Sequence, residues 1–320
     1  MASSADVSVV VPMFNAEASI GRCLASIEAQ ETPPGEVVIV DDGSLDDSAA
    51  VVARIAADSP VPVRLVQQAN AGVSAARNAG VAAATGDYVL FVDSDDELRP
   101  RTVAALVELV NAAPDASLWF GDAQRLQDGA VRDETYIRKR LIEPGRDYVN
   151  GEPPHVIDPL GLTLLGAFIA PGSFLVRRRE LAAIGPCDTG LRRAVDRDMF
   201  LRLGERFPGR WVFTWEPVST VHYTEGSLST RTAAVRHAEA TVEVLKRFEA
   251  RNPILTDRLA GIVADGYRKA VGNALYWASV AGPGDVLAVG RRLPRPDGWL
   301  PHMAQVARLA AESVIRSRRA

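Results

Sequence analysis

Cysteine is almost missing from this chain: Cys23 and Cys187 are the only two in 320 residues, and they lie far apart. A disulfide framework is therefore excluded, and a reducing compartment fits. Neither sign of charge prevails, since the net charge is −4, which argues against nucleic acid as the main partner. No apolar run is long enough to span a bilayer, because the most apolar later stretch, Leu160–Ala170, is short and broken by glycines. The amino terminus, MASSADVSVVVP, has no basic residues ahead of its apolar run, unlike a signal peptide. Two phosphate-binding patterns are also missing. No G-x-G-x-x-G follows the first strand and no G-x-x-x-x-G-K-[ST] occurs, which disfavours dinucleotide-dependent dehydrogenases and P-loop NTPases. These absences together predict a soluble, cytoplasmic protein.

What is present is a strong alternation. With 47% hydrophobic residues, the chain can bury a large core, expected as one big domain plus an appendage. Val7–Val11, Val37–Val40, Val63–Val66 and Tyr88–Val92 read as short buried strands. Between them, Ile20–Ala29, Ser48–Ala57 and Ala71–Ala84 read as helices, the first with Ile20, Leu24 and Ile27 on one face. Strand–helix alternation of this kind predicts a parallel, right-handed β-α-β sheet. Every polar cluster follows a strand, at the edge where open α/β sheets bind ligands.

The most informative cluster is in GDYVLFVDSDDELRP, residues 86–100. Its strand ends in Asp93, Asp95 and Asp96 around the small residue Ser94. So many acids at the end of a buried strand are costly unless a cation or ligand compensates them. Two carboxylates spaced D-x-D can hold one hard divalent ion that keeps positions open for phosphate oxygens. The alternative is a solvated turn with a helix cap, which Asp and Ser also suit. The first strand runs into Pro12-Met13-Phe14-Asn15, where Pro12 is expected to end the ladder and Phe14 offers a face for a stacked base. Asp42, after the second strand, could accept from the imide N–H of a uracil ring. A core aromatic and a turn aspartate are the plain readings of those two residues.

Taken in order, VSVVVPMFN, EVVIVDDGSLDDS, NAGVSAARNAG, GDYVLFVDSDD and RRAVDRDMFLRL resemble family 2 glycosyltransferases. The resemblance covers residues 7 to 230. It implies a GT-A fold (a mixed, Rossmann-like α/β sheet flanked by helices) and inverting transfer from a nucleotide sugar, with UDP-sugar as the donor and Mn²⁺ or Mg²⁺ as the metal. It further implies that Pro12, Phe14 and Asp42 hold the base, that Asn15 belongs to the nucleotide site, and that Asn70, Gly72 and Arg77 line the nucleotide and diphosphate. Asp95 would be the direct metal ligand, with Asp93 nearer the ribose and Ser94 between them. The family's Glu-Asp-x-Asp segment maps its base to Asp196, although Val195 stands where Glu is common. His222 falls in the family's closing segment and could touch the metal or the diphosphate. A plain helix N-terminus is the other reading of Asp196 and Asp198.

Gly172–Arg177 reads as a strand bordering an acceptor pocket, followed by a short helix at Glu180–Ile184 and a helix opened by Asp196. Residues 1–231 are thus expected as the catalytic domain, with 1–100 binding the nucleotide and 101–231 the acceptor. From 232 to 320 the pattern turns helical, over Ala233–Ala250, Ile254–Ala281 and Pro301–Arg319. These helices are expected to pack on the main domain or to form a homodimer. The stretch from Arg291 carries seven Arg against Asp297 and Glu312, which could touch the inner face of a membrane or an acidic partner, with a plain solvated end as the simpler reading. The basic run Arg138-Lys139-Arg140 could meet a phosphate-bearing acceptor or form a solvated face. Tyr223–Ser229 has the small polar residues of a lid. Two rival readings, a sugar nucleotidylyltransferase and a catalytically silent glycan-binding protein, share the expected sheet. The first would need a Gly-rich phosphate loop after the first strand, and Val11–Asn15 lacks one.

Overall fold

In a computed structural model the protein is described over residues 1–133, 135, 149–150, 155–157, 159–164, 169–208, 211–223, 231–281 and 289. The expected helix at 301–319, the basic run at 138–140 and all but the first residue of the expected lid lie outside these residues.

Strands β1 (Val7–Met13), β2 (Glu36–Asp41), β3 (Val63–Gln67) and β4 (Tyr88–Phe91) are parallel and lie side by side as β3-β2-β1-β4. Helices α1 (Ile20–Glu28), α2 (Ser48–Asp58) and α3 (Val73–Ala83) form the crossovers. The sequence patterns place all seven within two residues of these bounds. Pro12 departs from expectation, because β1 continues through it to Met13, opposite Val40 and Asp41 of β2. The reason lies on the other side of β1. Pairing with β4 ends at Val10, so beyond that point β1 needs no donor toward β4.

The second half turns the sheet mixed. After β5 (Glu97–Leu98) and α4 (Thr102–Ala112) come β6 (Leu118–Gln127), β7 (Ala130–Asp133), β8 (Val149–Asn150) and β9 (His155–Ile157). Next are α5 (Pro159–Leu164), β10 (Phe174–Arg177), α6 (Arg178–Ile184), α7 (Val195–Arg206) and β11 (Trp211–Tyr223). The order continues β4-β10-β6-β11-β9-β8, with β10 antiparallel to both its neighbours and β11 parallel to β6.

Alternate residues of each strand feed two cores, as the two-residue period of a strand requires. Val9, Val11, Val37, Ile39, Leu90 and Val92 pack with Ile20, Leu24 and Ile27 of α1 on one face. Val10, Val38, Val40, Val89 and Phe91 point the other way, into a core with Phe174, Phe200 and Trp211. That second core also takes in α8 (Arg231–Arg251) and α9 (Asp257–Ala281) through Val242, Leu245, Phe248, Val271 and Leu275. The apolar face expected to pack on the main domain or on a second subunit is buried within the one chain, among the described residues. Asp198 binds it further, pairing with Arg202 at 2.8 Å and with Arg251 of α8 at 3.5 Å. Among the described residues no helix is long and apolar enough to cross a membrane.

Candidate active site

A cavity of about 1120 Å³ opens at the carboxyl ends of β1, β2 and β4 and is bounded on its far side by α8 and α9. Its walls include Pro12, Phe14, Asp42, Asn70, Gly72 and Arg77 from the first half of the chain. Asp93, Ser94, Asp95, Asp96, Asp196 and His222 also line it. Asn15 is the one expected site residue absent from the wall. Its backbone is left-handed (φ 48°), and its side-chain oxygen accepts from the Leu45 N–H at 2.8 Å, tying the loop after β1 to the loop after β2. Phe14, by contrast, is 47% exposed at the cavity mouth, with its ring available for stacking.

Asp42 is buried and already engaged. One carboxylate oxygen accepts from Gln68 Nε2 at 2.7 Å and Ala71 N–H at 2.8 Å, the other from Gly72 N–H at 2.7 Å. A carboxylate can accept about four hydrogen bonds, so little capacity is left for a base. Its clear task is to fold the loop at 68–72, which brings Asn70 and Gly72 to the wall. Gly72 sits at φ 90°, a conformation that any side chain would strain, and from there α3 begins.

The three acids after β4 divide their work. Asp96 is turned inward and accepts the His222 N–H at 2.9 Å, which fixes β11 beside the loop. Burial, together with Asp95 and Asp93, pushes its carboxyl well above the usual range. Asp95 faces the cavity, and its carbonyl accepts from Arg22 Nη2 at 2.7 Å. Burial and the neighbouring Asp93 raise it as well, against the opposing pull of Arg22 and His222. Asp93 accepts from Arg77 Nη2 at 3.0 Å. Such crowding of oxygens, with two members pushed toward their neutral forms, is the donor set a hard divalent cation relieves. No group of three or more His, Cys, Asp and Glu side chains is arranged to enclose a metal among the described residues. A cation here would accordingly rest on Asp93 and Asp95 and share its remaining positions with a ligand. His222 offers less than its position suggested, since its Nε2 lies 2.6 Å from Glu97 Oε1. Only Nδ1 could meet a cation.

Arg77 is the hinge of the site. It projects from α3, 4% exposed, and its other terminal nitrogen donates to Asp196 Oδ1 at 2.6 Å. Burial weakens its hold on its proton, but Asp196 and Asp93 more than offset this and keep it cationic. Asp196 stands in the first turn of α7, which starts from a left-handed turn at Ala194 (φ 55°). That backbone is costly for a residue with a Cβ, and it aims Asp196 at Arg77. Burial raises the Asp196 carboxyl above its usual range, Arg77 restores part of the shift, and Asp93 adds to the rise.

Several residues in or behind the wall carry no signal in the sequence. Arg22 and Glu97, joined at 3.1 Å, brace the acidic loop from α1 and β5. Thr241 of α8 and Lys269 and Asn273 of α9 close the far side. They stand on ordinary amphipathic helices, and only the packing reveals that they reach the cavity.

Sheet order, acid-tipped β4 and flanking helices define a GT-A-type fold. Residues 8–185, more than half of the chain, match the model of glycosyl transferase family 2. The chain belongs to that family. Bacterial relatives named as glycosyltransferases align over about a third of this chain, which spans about a third of their own length. A longer match is the uncharacterized protein MT1568 of Mycobacterium tuberculosis, 31% identical over 276 residues, 85% of this chain and 81% of that protein. Among solved structures, the mannosyltransferase PcManGT of Pyrobaculum calidifontis, in complex with GDP-Man and Mn²⁺, superposes with a TM-score of 0.63 at 20% identity. It covers 97% of this chain and 80% of that one. S. aureus TarS 1–349 in complex with UDP-GlcNAc gives 0.55 at 18% identity, over 86% and 83%. At these identities the two structures speak for the fold.

Proposed function

We propose that this protein is a metal-dependent, inverting glycosyltransferase that moves a sugar from a nucleotide donor, UDP-sugar, to an acceptor hydroxyl or amine. The observation that carries the reading is the Asp93–Arg77–Asp196 bridge. It joins the strand-end carboxylate expected at the donor to a carboxylate from a distant segment expected at the acceptor. The loops after β1, β2 and β3 hold the nucleotide, with Phe14 against the base and Asn70 and Gly72 beside the diphosphate. A Mn²⁺ or Mg²⁺ on Asp93 and Asp95 would neutralise charge on the departing diphosphate.

The residues of the chain do the rest. Arg77 occupies Asp196 Oδ1, leaving Oδ2 to take the proton of the attacking acceptor. Its burial and raised affinity for a proton suit a general base better than an ordinary surface aspartate would. Attack from the side of Asp196, across the sugar from the leaving group, gives inversion. Residues 1–231 form the catalytic unit in this reading, and 232–320 complete its wall.

The sugar nucleotidylyltransferase reading has no phosphate loop after β1 to support it. The silent-binder reading leaves the shared Arg77 bridge without a purpose. The deciding experiment is UDP release from UDP-sugars with Mn²⁺, with and without acceptor. Release that depends on Mn²⁺ and stops in Asp95→Ala supports the proposal, while binding without release would favour the silent binder.

A further inference from the structure

One face of α3 holds the chain that runs between α6 and α7. Asn78 and Cys187 bond reciprocally, Asn78 Nδ2 to the Cys187 carbonyl at 2.9 Å and the Cys187 N–H to Asn78 Oδ1 at 2.6 Å. One turn nearer the start of α3, Ser74 Oγ donates to the Leu191 carbonyl at 3.4 Å. Asp196 then returns to Arg77, between those two levels. The loop therefore runs out along α3 from Asn78 to Ser74 and doubles back through the left-handed Ala194 (φ 55°), with Arg192 near its outer end. Asp188 stiffens it. Its carboxylate accepts the Gly190 N–H at 2.7 Å and pairs with Arg247 of α8, and its carbonyl accepts the Leu191 N–H at 3.2 Å. Arg192 is exposed, lines the cavity and has no ion pair or hydrogen bond among the described residues.

The outer end of this loop lies at the donor loops. Leu191 meets Ser74, two residues past Gly72, whose N–H donates to Asp42 at 2.7 Å. From Ser74 to Arg77 the helix rises by about 4.5 Å, and Arg77 meets Asp93 at 3.0 Å. A diphosphate lying across the start of α3 would thus be within reach of both the acidic loop and Arg192. We propose that Arg192 is a donor-site residue that binds the diphosphate of the nucleotide beside the first turn of α3. The inference rests on the glycosyl-transfer reading above and names a further residue for that reaction. A divalent cation on Asp93 and Asp95 would neutralise only part of the charge on a departing diphosphate. A guanidinium offers parallel N–H groups to the phosphate oxygens that remain. Anchors on both α3 and α8 hold the loop that presents it, which an arginine kept only for solvation would not need.

The test is titration of UDP and of uridine, each with Mn²⁺, into wild type and variants at position 192. Arg192→Gln should weaken UDP binding about tenfold, the worth of one charge-assisted hydrogen bond, and Arg192→Glu should weaken it further. Arg192→Lys, which keeps the charge but not the fork, should recover part of the loss. Uridine, which carries no phosphate, should bind all four proteins alike. Since the side chain is exposed, the melting temperatures of the variants without ligand should match that of wild type. Unchanged UDP affinity in Arg192→Glu would overturn the role of Arg192 and leave the glycosyl-transfer reading standing. An equal loss for uridine and UDP would trace the effect to the shape of the loop and also overturn it. Failure of wild type to bind UDP at all would defeat the glycosyl-transfer reading and the diphosphate contact together.

Discussion

Asp93 and Asp196 meet one guanidinium but reach it in opposite ways. Asp93 is 16 residues from Arg77, just past the strand that follows Arg77's own helix. Asp196 is 119 residues away, and its position depends on α7, on the loop before it and on the helices that brace it. The donor half is a repeated local unit: strand, polar tip, helix. The half proposed to bind the acceptor is assembled from α5, β10, α7, β11, α8 and α9, whose order in the chain says little about their neighbours. In this protein the side proposed to bind the metal is local and the side proposed to carry the base is global, so each should fail differently when perturbed.

The largest effect is expected from deleting residues 232–320. The core side chains left behind, among them Leu164, Phe200 and Leu203, would lose the cover of Val242, Leu245 and Phe248, at about 1.5–3 kcal/mol for each side chain fully exposed. Set against a typical total of about 5–15 kcal/mol, that should leave the remainder aggregated or molten in calorimetry and gel filtration. A folded, active 1–231 fragment would show the acceptor side to be as self-sufficient as the donor side. Any homodimer would have to use what the helices leave outside, where Ile254 and Tyr276 are exposed. Sedimentation of Ile254→Asp against wild type reads this directly.

Next is Asp95→Ala, which should nearly abolish turnover while the melting temperature stays at or above that of the wild type without metal. The sign follows from the raised carboxyls. Asp95 and Asp96 have folded-state affinities for protons above their unfolded values. Their favourable contribution is complete at low pH and is lost as pH rises through the folded values. Metal-free protein should therefore gain stability as pH falls from neutrality through that window. Added Mn²⁺ should raise the melting temperature more at pH 7 than at pH 5, and an equal effect at both pH values would argue that these carboxylates do not hold it.

Arg77→Met comes third. Removing one partner of a buried ionic network typically costs about 3–5 kcal/mol, and the partly exposed Asp93 places this case toward the lower end. Urea denaturation should show the loss in Arg77→Met and much less of it in Asp93→Asn. The smallest effect is expected for His222→Ala, which removes a ring that contacts Glu97 while the backbone N–H to Asp96 stays. A few-fold change in the Mn²⁺ requirement fits that geometry, and complete loss of activity would make His222 a ligand after all.

The same contrast explains how much could be read from sequence. The first four strands and three helices follow from apolar runs and periodicity, because each parallel unit is short and its polar tip abuts a single buried strand. Pro12 misled because its tolerance depends on where β4 stops pairing. Asp42 was legible as a site residue but not as the organiser of the loop at 68–72, which needs three donors brought from 26 to 30 residues away. The full extent of β11 was not legible, because irregular pairing between Thr214 and Ser219 of this 13-residue strand hides its alternation. Nothing local marks Thr241 or Lys269, since a polar residue on a helix looks alike whether it faces solvent or a cavity.

The central claim is that Asp196, held by Arg77, accepts the proton of the acceptor. It is tested most directly by measuring kcat against pH for wild type and Asp196→Asn, with UDP-sugar affinity measured alongside. Burial raises the Asp196 carboxyl, so wild-type turnover should climb with pH through an acid limb above the ordinary aspartate value of 3.8. Asp196→Asn should lose that limb, fall by roughly 10² to 10⁴ in kcat and keep its donor affinity. Near-normal turnover with the acid limb intact would contradict the account and move the base elsewhere.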